Sequence, residues 1–149
     1  MHKRIVPDVV RDQKLAQVPE TMTVREAASL MAGRHIGAVM VMDGMLLAGI
    51  FTERDLMSRV VAPGLDPNTT RLAQVMTRNP DTIGADDTAL DALQMMRKSG
   101  YRHLPVAKDG RIVGMISVRD LYSSVLDELE EDLKDRDAFI QGTTYGLGH

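Results

Sequence analysis

Apolar and polar positions follow one pattern twice along the chain. The first occurrence opens on a short extended piece, Ala16-Gln17-Val18. A helical period follows over Val24 to Ala32, opened by the capping-box spacing Thr23-x-x-Glu26 and ended near Gly33. Two apolar runs come next, Ala38 to Met42 and Leu46 to Phe51, parted by Asp43-Gly44, a dipeptide that marks a β-hairpin. A second helix opens at Thr52. The second occurrence repeats each step. Thr82-Ile83 leads to a helix over Ala89 to Lys98, opened by Thr88-x-x-Asp91 and ended near Gly100. Leu104 to Ala107 and Arg111 to Ile116 flank Asp109-Gly110, and a helix starts at Ser117. Each copy reads β-α-β-β-α.

A shift of 65 positions places Val10 on Val75, Thr23 on Thr88, Ala27 on Ala92, Met31 on Met96, Val41 on Val106 and Gly49 on Gly114. It also places Arg54-Asp55-Leu56 on Arg119-Asp120-Leu121. The Asp-Gly pairs are 66 apart, so the two hairpins are expected to differ slightly in arm length. The fold class that follows is α+β, with tandem units at 6–62 and 70–127 and a linker at 63–69 rich in Pro, Gly and Asn. A unit of about 55 residues buries too little surface to be comfortable alone, so the two are expected to pack sheet to sheet.

Past the repeat, one long helix is expected from Val118 to about Gln141. Leu121, Val125, Leu129 and Leu133 form its apolar stripe, with Leu126 and Ile140 beside it. Residues 128–141 are then an extension of the second unit. The extension is either an acidic solvated face over a stripe packed on the body, or a self-association or partner helix. Arg136 falls where the stripe would continue, which argues against a long coiled coil. The segment 142–149, with three Gly, reads as a flexible tail.

Composition narrows the functional classes. Aromatics are 3% of the 149 residues, so aliphatics and the 11 Met must fill the cores, Met31, Met95 and Met96 among them. A net charge of -3 argues against a general nucleic-acid binder. Without Cys, and with four scattered His, there is no metal-ligand spacing and no disulfide, which fits a reducing, cytoplasmic setting. No apolar run reaches 18 residues, so no membrane span is expected. Neither a Gly-x-Ser-x-Gly elbow, a Walker loop nor a G-x-G-x-x-G fingerprint occurs. An enzyme is not expected, nor a required cofactor.

The candidate chemistry lies in two seven-residue stretches, Gly49-Ile50-Phe51-Thr52-Glu53-Arg54-Asp55 and Gly114-Met115-Ile116-Ser117-Val118-Arg119-Asp120. Alone, Thr52-x-x-Asp55 or Ser117-x-x-Asp120 is a helix cap with an acid in the first turn. Three features point further. The motif occurs at the same offset in both copies. Arg precedes each Asp, although a cation is unfavourable at a helix N-terminus. Gly and two apolar residues deliver each turn to a defined strand end. A carboxylate accepts from two donors at once, as vicinal ribose hydroxyls require, while a hydroxyl, free helix N–H groups and Arg suit phosphate.

The chain resembles a tandem pair of CBS domains, a Bateman module. The resemblance rests on Gln74-Val75-Met76-Thr77 with Asn79-Pro80, Met95-Met96, Arg102-His103-Leu104-Pro105-Val106, and the two Gly-to-Asp stretches. It implies a pseudo-two-fold pair with clefts between the sheets, homodimerisation, and regulatory binding of adenosine-containing molecules. These are AMP, ADP or ATP, with S-adenosylmethionine or NAD as alternatives, and an unknown regulated protein as partner. A structural adaptor with vestigial clefts is the other reading.

Carried over by residue, Asp120 and Ser117 would hold ribose and phosphate in the second site, with Arg119, Arg102 and His103 nearby. Thr82, Ile83 and Pro105 would line the adenine slot. In the first site Asp55, Thr52 and Arg54 match, with Gln17 and Val18 along the base. There Gly37-Ala38 replaces Arg102-His103 and Met40 replaces Pro105. The direction of nearby Arg34 and His35 is not legible. The second site is expected to be the better equipped for phosphate.

Overall fold

The computed structural model describes residues 3–10 and 15–146, with the side chains of the last helix to residue 138. Two mixed sheets carry the fold. In the first, β1 (Gln17–Pro19) pairs parallel with β2 (Ala38–Asp43), which forms an antiparallel hairpin with β3 (Leu46–Thr52). In the second, β5 (Ile83–Gly84) pairs parallel with β6 (His103–Lys108), which is antiparallel to β7 (Arg111–Ser117).

Helix α1 (Val24–Arg34) crosses from β1 to β2, and α4 (Ala89–Ser99) from β5 to β6. Thr23 and Thr88 cap them, each side chain accepting from the backbone N–H three residues on. Gly100 ends α4 at φ 74°, as expected. The expected stop at Gly33 is not used. Helix α1 continues through Arg34 and is capped by His35 at φ 54°, whose N–H reaches the Ala32 and Met31 carbonyls. A left-handed residue closes a helix even when it is not Gly, at some conformational cost.

The hairpins have equal arms, contrary to the expectation from their Asp-Gly pairs. Asp43 pairs with Leu46 and Lys108 with Arg111, both 65 apart, and each hairpin has a register shift at the same place, after Val41 and after Val106. What differs is the turn. Gly44, at φ 60°, stands first in one turn, whereas Asp109 (φ 52°) and Gly110 (φ 76°) fill the other. Asp tolerates the left-handed region better than most residues, so the dipeptide slid by one without changing the arms.

The leading segments of the two copies are exchanged. Ile5 and Val10 lie in the second core, with Ile83, Ala92, Leu104, Val106, Ile116 and Leu121. Ile5 N–H donates to the Asp87 carbonyl at 2.9 Å and Val6 N–H to that of Ala85 at 2.9 Å. Conversely, α3 (Leu72–Val75) and Met76 belong to the first core, with Val24, Val39, Val41 and Phe51. After α3, β4 (Thr77–Arg78) adds a fourth strand beside β3. Each packed unit therefore draws its first segment from the other copy.

Helix α2 (Glu53–Asp55) continues as a wider π-helical segment, Leu56–Val61. Its counterpart α5 (Val118–Gly146) is the long C-terminal helix. Helical backbone thus extends into the segment 142–149 read as a tail, whose last residues, 147–149, lie outside the described residues. The expected stripe packs on the body only at its start. Leu121 is buried and Val125 half-buried, while Leu129 and Leu133 are exposed.

Candidate nucleotide cleft

The strand-to-helix turns after β3 and β7 both open into one cleft of about 1080 Å³ between the units. Thr52, Arg54 and Asp55 line it from the first unit, and Ser117, Arg119, Asp120, Arg102 and His103 from the second. Arg34 and His35 line it as well, which fixes the direction left open by the sequence. Five arginines stand against four acids, Glu53, Asp55, Asp81 and Asp120, so the cleft reverses the sign of the chain's overall charge.

The other expected residues are placed elsewhere. Val18 and Ile83 point into the two cores and Pro105 is buried in β6, while Gln17 and Thr82 are exposed outside the cleft. In a strand alternate side chains face opposite ways, and in β1 and β5 the apolar side is taken by the core. Ala16, Met40, Pro80 and Asp81 line the corresponding walls instead.

The two carboxylates differ sharply in use. Asp55 is 5% exposed. Its Oδ2 accepts from the Thr52 N–H at 3.0 Å and the Thr52 hydroxyl at 3.1 Å. Its Oδ1 accepts from the Thr77 hydroxyl at 3.4 Å and lies 3.6 Å from Arg59 Nε. Arg59 also donates to the carbonyls of Val75 at 3.2 Å and Met76 at 2.9 Å, which holds the exchanged segment. Arg54 donates to the Gly100 carbonyl across the cleft at 3.2 Å. The first motif is thus spent on structure.

Asp120 is exposed and makes only its capping box: Oδ2 accepts from the Ser117 N–H at 2.9 Å, and the Asp120 N–H donates to Ser117 Oγ at 3.1 Å. Among the described residues, the guanidinium groups of Arg102 and Arg119 enter no hydrogen bond or ion pair, although the Arg102 carbonyl accepts from the Val118 N–H at 2.9 Å. An anion entering here would meet donors that have no competing partner.

His103 sits half-buried beside them. Burial pushes its pKa down, Glu53 and Asp120 pull it up, and Arg102 adds to the lowering. A side chain added at Gly37 would meet Glu53 Oε1 at 2.8 Å and His103 Cε1 at 3.3 Å. Gly37 stands where the second copy has Arg102. A side chain there in the first copy would have to displace the Glu53 carboxylate and would press on the His103 ring. On the far wall, a hydrogen bond from Tyr101 to Asp81 raises the Tyr101 phenol above its usual pKa.

The sequence does not single out Arg59 or Tyr101, and it marks Thr77 only within the Gln74-to-Thr77 stretch, with no contact to Asp55 implied. Asp55 to Arg59 is an i, i+4 opposite-charge pair, a readable helical signal. Thr77 gave none, because it reaches Asp55 through the exchanged segment. No group of three His, Cys, Asp or Glu suited to a metal ion occurs among the described residues.

Comparison with known proteins agrees with this architecture. The family model for the CBS domain matches twice, over residues 4–62 and 72–127. The Arabidopsis thaliana CBS domain-containing protein CBSCBSPB3 is 37% identical over 123 residues, covering 82% of this chain and 22% of the relative. Across five such plant relatives this chain spans only 22 to 26% of their length. A protein with CBS domains from Burkholderia ambifaria MC40-6 superposes with a TM-score of 0.78 at 31% identity, over 82% of this chain and 93% of that one. The Pyrobaculum aerophilum CBS domain protein PAE2072, solved with AMP, superposes with a TM-score of 0.69 at 28% identity, over 76% of this chain and 86% of that one. The chain belongs to the CBS domain family, as a tandem pair of CBS units.

Proposed function

We propose that the chain is a regulatory module that binds an adenine nucleotide of the AMP, ADP or ATP class on the Asp120 side of the cleft. One observation carries the reading: at one end the exposed Arg119 and Arg102 guanidinium groups are unpaired and exposed Asp120 makes only its capping box, while Asp55, Arg54 and Arg59 are engaged at the other. The Asp120 carboxylate would take the ribose hydroxyls. Ser117, the first N–H groups of α5 and the two arginines would take phosphate. The AMP complex of the Pyrobaculum relative supports the choice of nucleotide.

No catalytic step belongs to this reading. Ligand contacting both units would favour one relative arrangement of them, by no more than its difference in affinity for the two. The signal would pass to a regulated protein, from a cytoplasmic homodimer. Exposed Met57 and Val61 on the segment after α2 offer apolar surface for that pairing.

Calorimetric titration with AMP, ADP, ATP, NAD and S-adenosylmethionine tests it. One equivalent of adenine nucleotide per chain is expected, bound markedly more weakly in Asp120→Ala. Absence of binding by any of the five at millimolar concentration would overturn the reading. The adaptor alternative, with a vestigial cleft, is favoured by the burial of Asp55 and would be left standing by that result.

A further inference from the structure

We propose that the outer face of α5 is the docking site for a basic amphipathic helix of another protein. The inference stands whether or not the cleft holds a nucleotide.

After Glu128 the helix leaves the body, and every side chain from Leu129 to Ala138 is exposed. Yet it is not polar all round. Leu126, Leu129 and Leu133 are 58%, 44% and 57% exposed, and Tyr122 continues the line toward the body. The spacing 122, 126, 129, 133 alternates four and three, the seam a second helix packs against. This line is offset from Leu121, Ser124 and Val125, which face the core. The helix thus has two apolar faces, and the body covers one.

Charge decides the occupant. From Asp127 to Asp137 there are seven acids against Lys134 and Arg136, a net -5. In heptad terms Glu130 and Asp137 flank the seam on one side and Asp132 on the other. A second copy would bring the same acids to the same flanks, and its Arg136 would interrupt the seam again. A helix with apolar residues at matching positions and Lys or Arg beside them would fill the seam and neutralise both edges.

The test uses the full chain and two labelled synthetic peptides of three heptads. Both carry Leu at the seam; one is flanked by Lys, the other by Glu. Fluorescence anisotropy should show binding of the Lys peptide, weakening as salt rises, and none of the Glu peptide. Leu129→Asp with Leu133→Asp should weaken binding roughly tenfold or more. Glu130→Lys with Asp132→Lys and Asp137→Lys should reverse the peptide preference, and these exposed changes leave the core intact. Undiminished binding by the leucine variant, or failure of the reversal, would overturn the proposal. So would a dimer in sedimentation that dissociates on Leu129→Asp, since the occupant would then be a second copy.

Discussion

Arg59 Nε lies 3.6 Å from Asp55 Oδ1, whereas 65 positions later, beside Asp120, the chain has Ser124. Together with the Thr77 hydroxyl, which the exchanged segment brings to the same Oδ1, that difference separates a carboxylate locked into the fold from one left open to solvent. The two motifs began as equals and were divided by what the next helical turn and the exchanged segment supplied.

The difference should be measurable as stability. Asp55→Ala strips acceptors from Thr52, Thr77 and Arg59 at a buried site and should cost about 1–3 kcal/mol in urea unfolding. Because Arg59 is half-exposed, its ion pair contributes the smaller share. Asp120→Ala loses only one side of an exposed capping box and should cost about 0.5–1 kcal/mol. Equal costs would mean that the two sites are used alike.

The exchanged segments make a second prediction. Ile5 is fully buried in the core of the second unit and Leu72 in that of the first. Either residue changed to Ala should cost about 2–4 kcal/mol, as for an interior residue of the unit it enters. Hydrogen exchange should then show Ile5→Ala loosening β6 and β7, and Leu72→Ala loosening β2 and β3. Protection lost in the opposite units would contradict the exchange.

The doubling, hairpins, helix starts and long last helix were all legible, because period, capping and turn chemistry act within a few residues. The 65-residue offset even carried the register of both hairpins. The exchange was not legible: Val10 aligns with Val75 whether each segment packs at home or away. The site was half legible for the same reason. Thr52 to Asp55 and Ser117 to Asp120 form local turns that could be read, but the burial of Val18, Ile83 and Pro105 depends on which sheet face the core takes. Arg59 is one of the groups that hold Asp55, and its i, i+4 spacing could have been weighed.

His103 should give stability a pH dependence of definite sign. Its pKa is lowered in the folded state, chiefly by burial, while the unfolded chain titrates near 6.5. As pH falls through that value, the unfolded state takes up a proton and the folded state does not, so stability falls. Above about pH 7.5 the contribution is flat. Thermal unfolding between pH 5 and 8 should show this slope, and His103→Gln should flatten it.

The phosphate and ribose roles can be separated with three ligands. If Arg102 and Arg119 receive phosphate, Arg119→Ala should weaken AMP roughly five- to tenfold, the loss of one charge-assisted contact, and leave adenosine unchanged. The loss should be larger for ATP, and higher salt should shrink the difference between wild type and variant. Asp120→Ala, removing the ribose acceptor, should weaken all three alike. Calorimetry on the two variants reads both patterns. A proportional loss of adenosine in Arg119→Ala would move the arginine from the phosphate end of the cleft to the nucleoside.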